Sequence, residues 1–363
     1  MNEDDPDATA VTVVDLDETG WPLRPTREGP RPVPPPGLDT YLAQRLTPPP
    51  WATDIVVYVH GWQTSQASAL GALRTLMGLV ERQRGERAEL YPRLQGDASG
   101  RLRGNASGRL REDISARRED TPAHRGFAPW PVLVRWPSRS LPSLGGYRRI
   151  RDRAHAMGTE GHAARVIAQL LGYLDAHRGD PRAAPVLAAR GGQYLHLVGH
   201  SFGCRLLCEA VQWAAAPPGG TLGWSTPAPP GRPFTVDSML LLQMAAARDA
   251  FAATFTALGG APLRGPVVAT YSQHDRATGF WHLRAEKRAG IGYAGIGTAP
   301  APVSCIRMRP TAEPYPHTTL DHRFVSVDAS EVFVHGRGPA GAHSDHLRPE
   351  SAHLLLSLAD HSR

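Results

Sequence analysis

Apolar residues recur along the chain with two different periods. Ile55-Val-Val-Tyr-Val59, Val132-Leu-Val-Arg-Trp136 and Tyr194-Leu-His-Leu-Val198 are short, almost continuous apolar runs rich in β-branched and aromatic residues. That pattern belongs to strands buried on both faces, as in a parallel sheet. Ser238–Leu242 and Pro266–Ser272 read the same way, and Phe324–Val334 is strand-like with a turn near Asp328-Ala329. Between these runs the period lengthens. Ala67–Arg82 places Leu70, Leu73, Leu76, Met77 and Val80 on one side of a helix, and Ala163–His177 does so with Val166, Ile167, Leu170, Leu171 and Leu174. Residues 202–215 form a further helix. Pro349–Leu358 forms the last, with proline at its start, where the missing N–H does no harm. Strands alternating with helices predict an α/β fold with a mostly parallel central sheet flanked by helices. Ligands in such sheets bind at the carboxyl ends of the strands.

Two stretches break this rhythm. Residues 1–50 do not read as core but as a proline-rich arm or wrapping segment, with Val11–Leu16 as a short strand and prolines at 22, 25, 30, 32, 34–36 and 48–50 keeping the backbone extended. Residues 51–363 then form one domain, interrupted by a low-complexity insertion at 93–126. Within it Gly96–Arg103 (GDASGRLR) and Gly104–Arg111 (GNASGRLR) repeat in tandem. Two copies of eight residues cannot build a solenoid, and the composition is that of a solvated loop. The arm and this loop are the places where a protein partner would bind.

Composition narrows the field. Of 363 residues, 41 % are hydrophobic and 20 % charged, which supports a sizeable core. The net charge of +6 rests on 40 basic residues, of which Lys287 is the one lysine and the rest are arginine. The arginines are spread out rather than striped with aromatics, so nucleic acid is not an expected partner. Three cysteines are too few for a disulfide framework. Met1–Ala10 is acidic and lacks an apolar stretch, and the most apolar run, Met239–Leu258, contains Gln243, Arg248 and Asp249. No integral membrane segment is expected, and the protein reads as cytoplasmic.

The candidate chemistry starts at Gly199-His200-Ser201-Phe202-Gly203, a G-x-S-x-G between an apolar strand and a helix. A serine on that sharp turn adopts strained dihedrals, and side chains two residues either side would collide; glycine relieves both. The turn also lifts the hydroxyl to a helix N-terminus, whose dipole favours developing negative charge. Acyl transfer needs two backbone N–H groups aimed at an oxyanion. Phe202 supplies one, and the loop His60-Gly61-Trp62 supplies the other from Trp62, with Gln63 as alternative. His60 reads as structural, orienting this loop through its ring nitrogens.

A serine nucleophile needs a base, and the base needs a carboxylate to set its tautomer. Asp275 follows the strand Val267–Ser272 at its carboxyl end; Asp249 is the rival. Gly341-Ala-His343-Ser-Asp-His346 offers the histidine, with His343 preferred over His346 because its neighbours are small. Asp345 reads as a helix cap. Neither His317–His322 nor His343–His346 has the helical i, i+4 histidine pair of a zinc enzyme, so no metal or cofactor is expected.

The segments Y-V-H-G-W (58–62), R-W-P-S (135–138), V-G-H-S-F-G (198–203), Y-S-Q-H-D-R-A (271–277) and A-H-S-D (342–345) together resemble the α/β-hydrolase superfamily, in particular its bacterial branch of poorly characterised serine hydrolases. The likeness runs from about residue 51 to 358. It implies an α/β-hydrolase fold and a Ser-His-Asp serine hydrolase, with Ser201 as nucleophile, His343 as base and Asp275 as its orienter. The expected activity is cleavage of a small-molecule carboxylic ester, as in an esterase or lipase; a thioesterase or amidase would use the same parts. Segments 217–233 and 276–303 are candidate lids, where Trp224, Phe280, Trp281 and Tyr293 would line an apolar acyl pocket. The competing reading is a catalytically silent hydrolase-fold interaction module.

Overall fold

The computed structural model describes residues 11–95, 126–178, 192–215, 236–261, 263–336 and 338–363. Its strands are β1 (Thr12–Asp15), β2 (Leu23–Arg24), β3 (Arg31–Pro32), β4 (Asp54–Val59), β5 (Pro129–Arg135), β6 (Tyr194–His200), β7 (Ser238–Leu242), β8 (Val267–Tyr271), β9 (Val303–Arg307) and β10 (Phe324–Asp328). Its helices are α1 (Leu38–Arg45), α2 (Gln66–Glu86), α3 (Leu144–His155), α4 (Ala163–His177), α5 (Phe202–Ala215), α6 (Ala250–Ala253), α7 (His282–Glu286), α8 (Ile291–Ala294), α9 (His317–Leu320) and α10 (Pro349–His361). Eight strands form one sheet in the order β1-β5-β4-β6-β7-β8-β10-β9, and every pairing in it is parallel. β2 and β3 make a small antiparallel hairpin apart from it.

The sheet alternates its side chains between two cores. Ile55, Val57, Leu195, Leu197, Met239 and Leu241 face α1, α3, α4 and α5, whereas Val56, Tyr58, Val198, Leu240 and Val268 face α2 and α10. A strand covered on both faces has no polar side to show, which is why its sequence is a continuous apolar run. Serine side chains start two helices: Ser65 accepts from the Ser68 N–H at 3.0 Å before α2, and Ser143 from the Gly146 N–H at 3.0 Å before α3. Among the described residues no helix is long and apolar enough to cross a membrane.

The N-terminal region wraps the domain, with its short strand where the sequence placed it, but part of it also joins the core. β1 is an edge strand of the main sheet, in register with Val132–Arg135. α1 buries Leu38, Tyr41 and Leu42, with Val33 and Leu46 buried beside it. The prolines bring the chain round the core rather than away from it, and the apolar residues spaced between them provide the anchoring. The tandem repeat and the segment 217–233 lie outside the described residues.

At the amino ends of the central strands sits a saturated polar knot. His196 Nε2 lies 2.9 Å from Asp54 Oδ1, and His196 Nδ1 lies 2.8 Å from Ser238 Oγ. The Arg363 guanidinium donates to Asp54 Oδ2 at 2.7 Å and stacks on Tyr194. Burial alone would raise the Asp54 pKa, but Arg363 and the His196 hydrogen bond outweigh it and hold the carboxyl below its usual range. Removing this carboxylate takes the shared acceptor from the buried His196 and the partly buried Arg363. Asp54→Ala is expected to cost about 3–5 kcal/mol of unfolding free energy, measured by urea denaturation at pH 7; a loss below about 1 kcal/mol contradicts the network.

Candidate active site

The carboxyl ends of β4, β5, β6, β7, β8 and β10 bring six segments together. The chain leaves β6 at Ser201 with φ of 55°, a left-handed conformation that a serine adopts only under constraint, and enters α5 at once. The Ser201 N–H donates to the Leu242 carbonyl at 3.0 Å, and its own carbonyl accepts from the Cys204 N–H and the Ala245 N–H, each at 3.2 Å. Three glycines make room for this turn. A Cβ on Gly199 would stand 2.9 Å from the Cys204 Cα, one on Gly203 would overlap the Val59 carbonyl oxygen, and one on Gly61 would stand 2.6 Å from the Ser201 Cβ. The loop after β4 is therefore pressed directly against the turn.

His60 holds that loop. It is buried, its Nε2 accepts from the Trp136 N–H at 3.1 Å, and its Nδ1 consequently carries the proton and faces the Gly61 carbonyl at 3.1 Å. The Trp136 indole N–H donates to the His60 carbonyl at 2.7 Å. The Gln63 N–H is committed to the Ser138 carbonyl at 3.0 Å, whereas the N–H groups of Trp62 and Phe202 have no acceptor among the described residues. Tyr147 of α3 wedges between these two residues, with its ring centroid 5.1 Å from each of the Trp62 and Phe202 rings. Its hydroxyl meets His282 Nδ1 at 2.9 Å, and the Trp62 indole N–H donates to Ser140 Oγ at 2.7 Å. Nothing in the sequence pattern singles out Tyr147 or His282, because α3 is polar and arginine-rich on its outer side.

On the other side of Ser201, Asp275 and His343 pair. His343 Nδ1 donates to Asp275 Oδ2 at 2.8 Å, and the Thr278 N–H donates to Asp275 Oδ1 at 3.0 Å. The two loops are clipped together by a β-bridge between Asp275 and Gly341 and by the Ala342 N–H donating to the His274 carbonyl at 3.0 Å. His200, next to the serine, donates from Nε2 to the His343 carbonyl at 2.9 Å. The Ser201 hydroxyl and His343 Nε2 are both buried and have no hydrogen-bond partner among the described residues. In the neutral ring Nε2 is thus the bare nitrogen, free to accept a proton.

Neither rival joins this pair. Asp249 is half-exposed and pairs with Arg288 at the surface. His346 is stacked on His200 with 3.7 Å between centroids and does not contact Asp275. Asp345 is not a helix cap. Its carboxylate takes both Nε and Nη2 of Arg348 and the His335 N–H. Of the aromatics assigned to an apolar pocket, Phe280 and Tyr293 are exposed and Trp281 is tied through its indole N–H to the Pro339 carbonyl at 3.1 Å. Trp224 lies outside the described residues.

Compared with known protein families, curated proteins and solved structures, the chain matches none.

The site keeps most of its histidines neutral. Burial lowers the pKa of His60 to about 4, and those of His346 and His282 to about 3. His200 falls well below its ordinary value, through burial and then the neighbouring His346 and His343. In the unfolded chain these rings titrate near 6.5. Between that value and about 4 the unfolded state binds more protons, so stability falls as the pH falls through this window. The urea midpoint is expected to drop steadily from pH 7 to pH 4; a flat midpoint across that range contradicts neutral buried rings.

Proposed function

We propose that the protein is a serine hydrolase of the α/β-hydrolase type that cleaves carboxylic esters through an acyl-enzyme. The observation that carries this reading is the combination at one point. A serine is strained at a strand-to-helix turn, its neighbour His200 donates to the His343 carbonyl, and His343 Nδ1 is held by Asp275. The serine Oγ and the His343 Nε2 are both left without partners. The all-parallel sheet and the Ser, Asp, His order along the chain support the family assignment.

Ser201 Oγ attacks the ester carbonyl carbon while His343 Nε2 takes its proton. Asp275 stabilises the imidazolium and holds its tautomer. The N–H groups of Phe202 and Trp62 donate to the developing oxyanion, and Tyr147 braces both residues from behind. The tetrahedral intermediate collapses, and the leaving alkoxide takes the proton from His343. Water, losing a proton to the same nitrogen, then attacks the acyl carbon. Collapse releases the carboxylic acid and returns the proton to Ser201. The free Trp62 N–H, against the Gln63 N–H bonded to the Ser138 carbonyl, favours Trp62 as the second donor in this reading.

A fluorophosphonate probe is expected to label the folded wild type at Ser201 and to leave Ser201→Ala and His343→Ala unlabelled. Asp275→Asn is expected to lower ester hydrolysis about 10³–10⁴-fold through the wrong tautomer. A p-nitrophenyl ester series run beside the matching thioesters and anilides identifies the bond cleaved. Folded wild-type protein that neither takes the label nor hydrolyses any of these substrates overturns the reading, and favours a silent interaction module.

A further inference from the structure

Gln243 lies at the end of β7, fully buried, with φ of 47°. Its N–H donates to Thr270 Oγ1 at 3.1 Å, and Gly292 packs so tightly on its backbone that a Cβ there would stand 2.6 Å from the Gln243 carbonyl carbon. The side-chain amide reaches two targets with one nitrogen. Nε2 donates to Asp275 Oδ2 at 3.2 Å and to the Ala342 carbonyl at 3.0 Å. Both targets accept only, so the amide has one orientation. Flipping it would aim its oxygen at a carboxylate and a carbonyl. The cost of that orientation is visible, since Oε1 is buried with no partner among the described residues.

We infer that Gln243 is a positioning residue that sets the Asp275–His343 pair against the Ser201 turn. It joins three parts otherwise carried on separate loops. The preceding Leu242 carbonyl accepts from the Ser201 N–H, the amide grips the carboxylate that orients His343, and its other hydrogen grips the residue before His343. Asp275 Oδ2 is shared between Gln243 and His343 Nδ1, so the amide draws charge away from the histidine and fixes where the carboxylate sits. Besides Asp275, the titratable side chains facing His343 are His200 and His346, both kept neutral by burial. This role rests on the proposed catalytic reading of the same site, but it is measured without it.

The test is a titration of His343 by NMR in protein labelled with ¹⁵N-histidine, run beside fluorophosphonate labelling. Gln243→Glu places a second carboxylate against Asp275, and the His343 midpoint is expected to rise by about one pH unit or more. Gln243→Met keeps a similar volume without the N–H groups. It is expected to lose the sharp downfield Nδ1–H resonance of His343 and to slow labelling at least about ten-fold, because the pair is no longer held in one geometry. A merely structural glutamine would lower thermal stability in both variants and leave the midpoint and the resonance of the folded protein unchanged. That result overturns the inference. Should the wild type fail to label while the midpoint and resonance respond as stated, the hydrolase reading falls and the positioning role stands.

Discussion

Ser201 can occupy its turn only because three glycines let the surrounding chain pack against it with no side chain between. Gly199 lets α5 return against β6, Gly203 lets α5 pass over the end of β4, and Gly61 lets the next loop lie against the serine itself. Each contact is too close for any side chain, so the turn and the loop after β4 are one rigid unit. Everything else at the site is hung from it. Leu242 bonds to the serine N–H, Gln243 follows Leu242, and Asp275 and His343 are gripped in turn. Strain of about 1–3 kcal/mol at a left-handed serine persists only when its surroundings over-determine it, and here they do.

The sheet carries two constellations of serine, histidine and carboxylate, one at each end, and they illustrate opposite uses of the same groups. At the amino ends both nitrogens of His196 are engaged, Ser238 is bonded, and Asp54 is neutralised by Arg363. Nothing remains to offer a substrate, so this knot is structural. At the carboxyl ends His343 is satisfied on one nitrogen only, and the serine hydroxyl is satisfied on neither count. Buried orphan groups cost roughly 1–3 kcal/mol each, and at this end the Ser201 hydroxyl and His343 Nε2 are two of them, with a carboxylate holding the other histidine nitrogen. The contrast supports the proposed assignment to the carboxyl end on physical grounds, independent of motif.

Much of this was legible in the chain. Nearly continuous apolar runs at 55–59, 194–198 and 238–242 specify buried parallel strands, because a strand covered on both faces has no solvent side to show. The G-x-S-x-G specifies the turn, because its glycines answer steric conflicts that are local in sequence. Less was legible where burial comes from afar. Residues 33–46 carry too few apolar positions and too many prolines to read as core, yet Val33, Tyr41 and Leu42 are buried by residues far along the chain. β9 and α3 lack an apolar stripe of their own strength and were visible only once packed.

The sequence by itself determined the α/β class, the turn at Ser201 and a short set of acids and bases in chain order. Those features depend on periodicity and on neighbours within a few residues. Only the tertiary structure joins Asp275 to His343 across 68 residues of chain and leaves Asp249 on the surface. It alone revealed Gln243 and Tyr147, whose side chains act through contacts with residues 32 to 135 positions away. A hydrogen bond between distant segments leaves no period in a sequence, because its geometry exists only when the sheet brings the strand ends together.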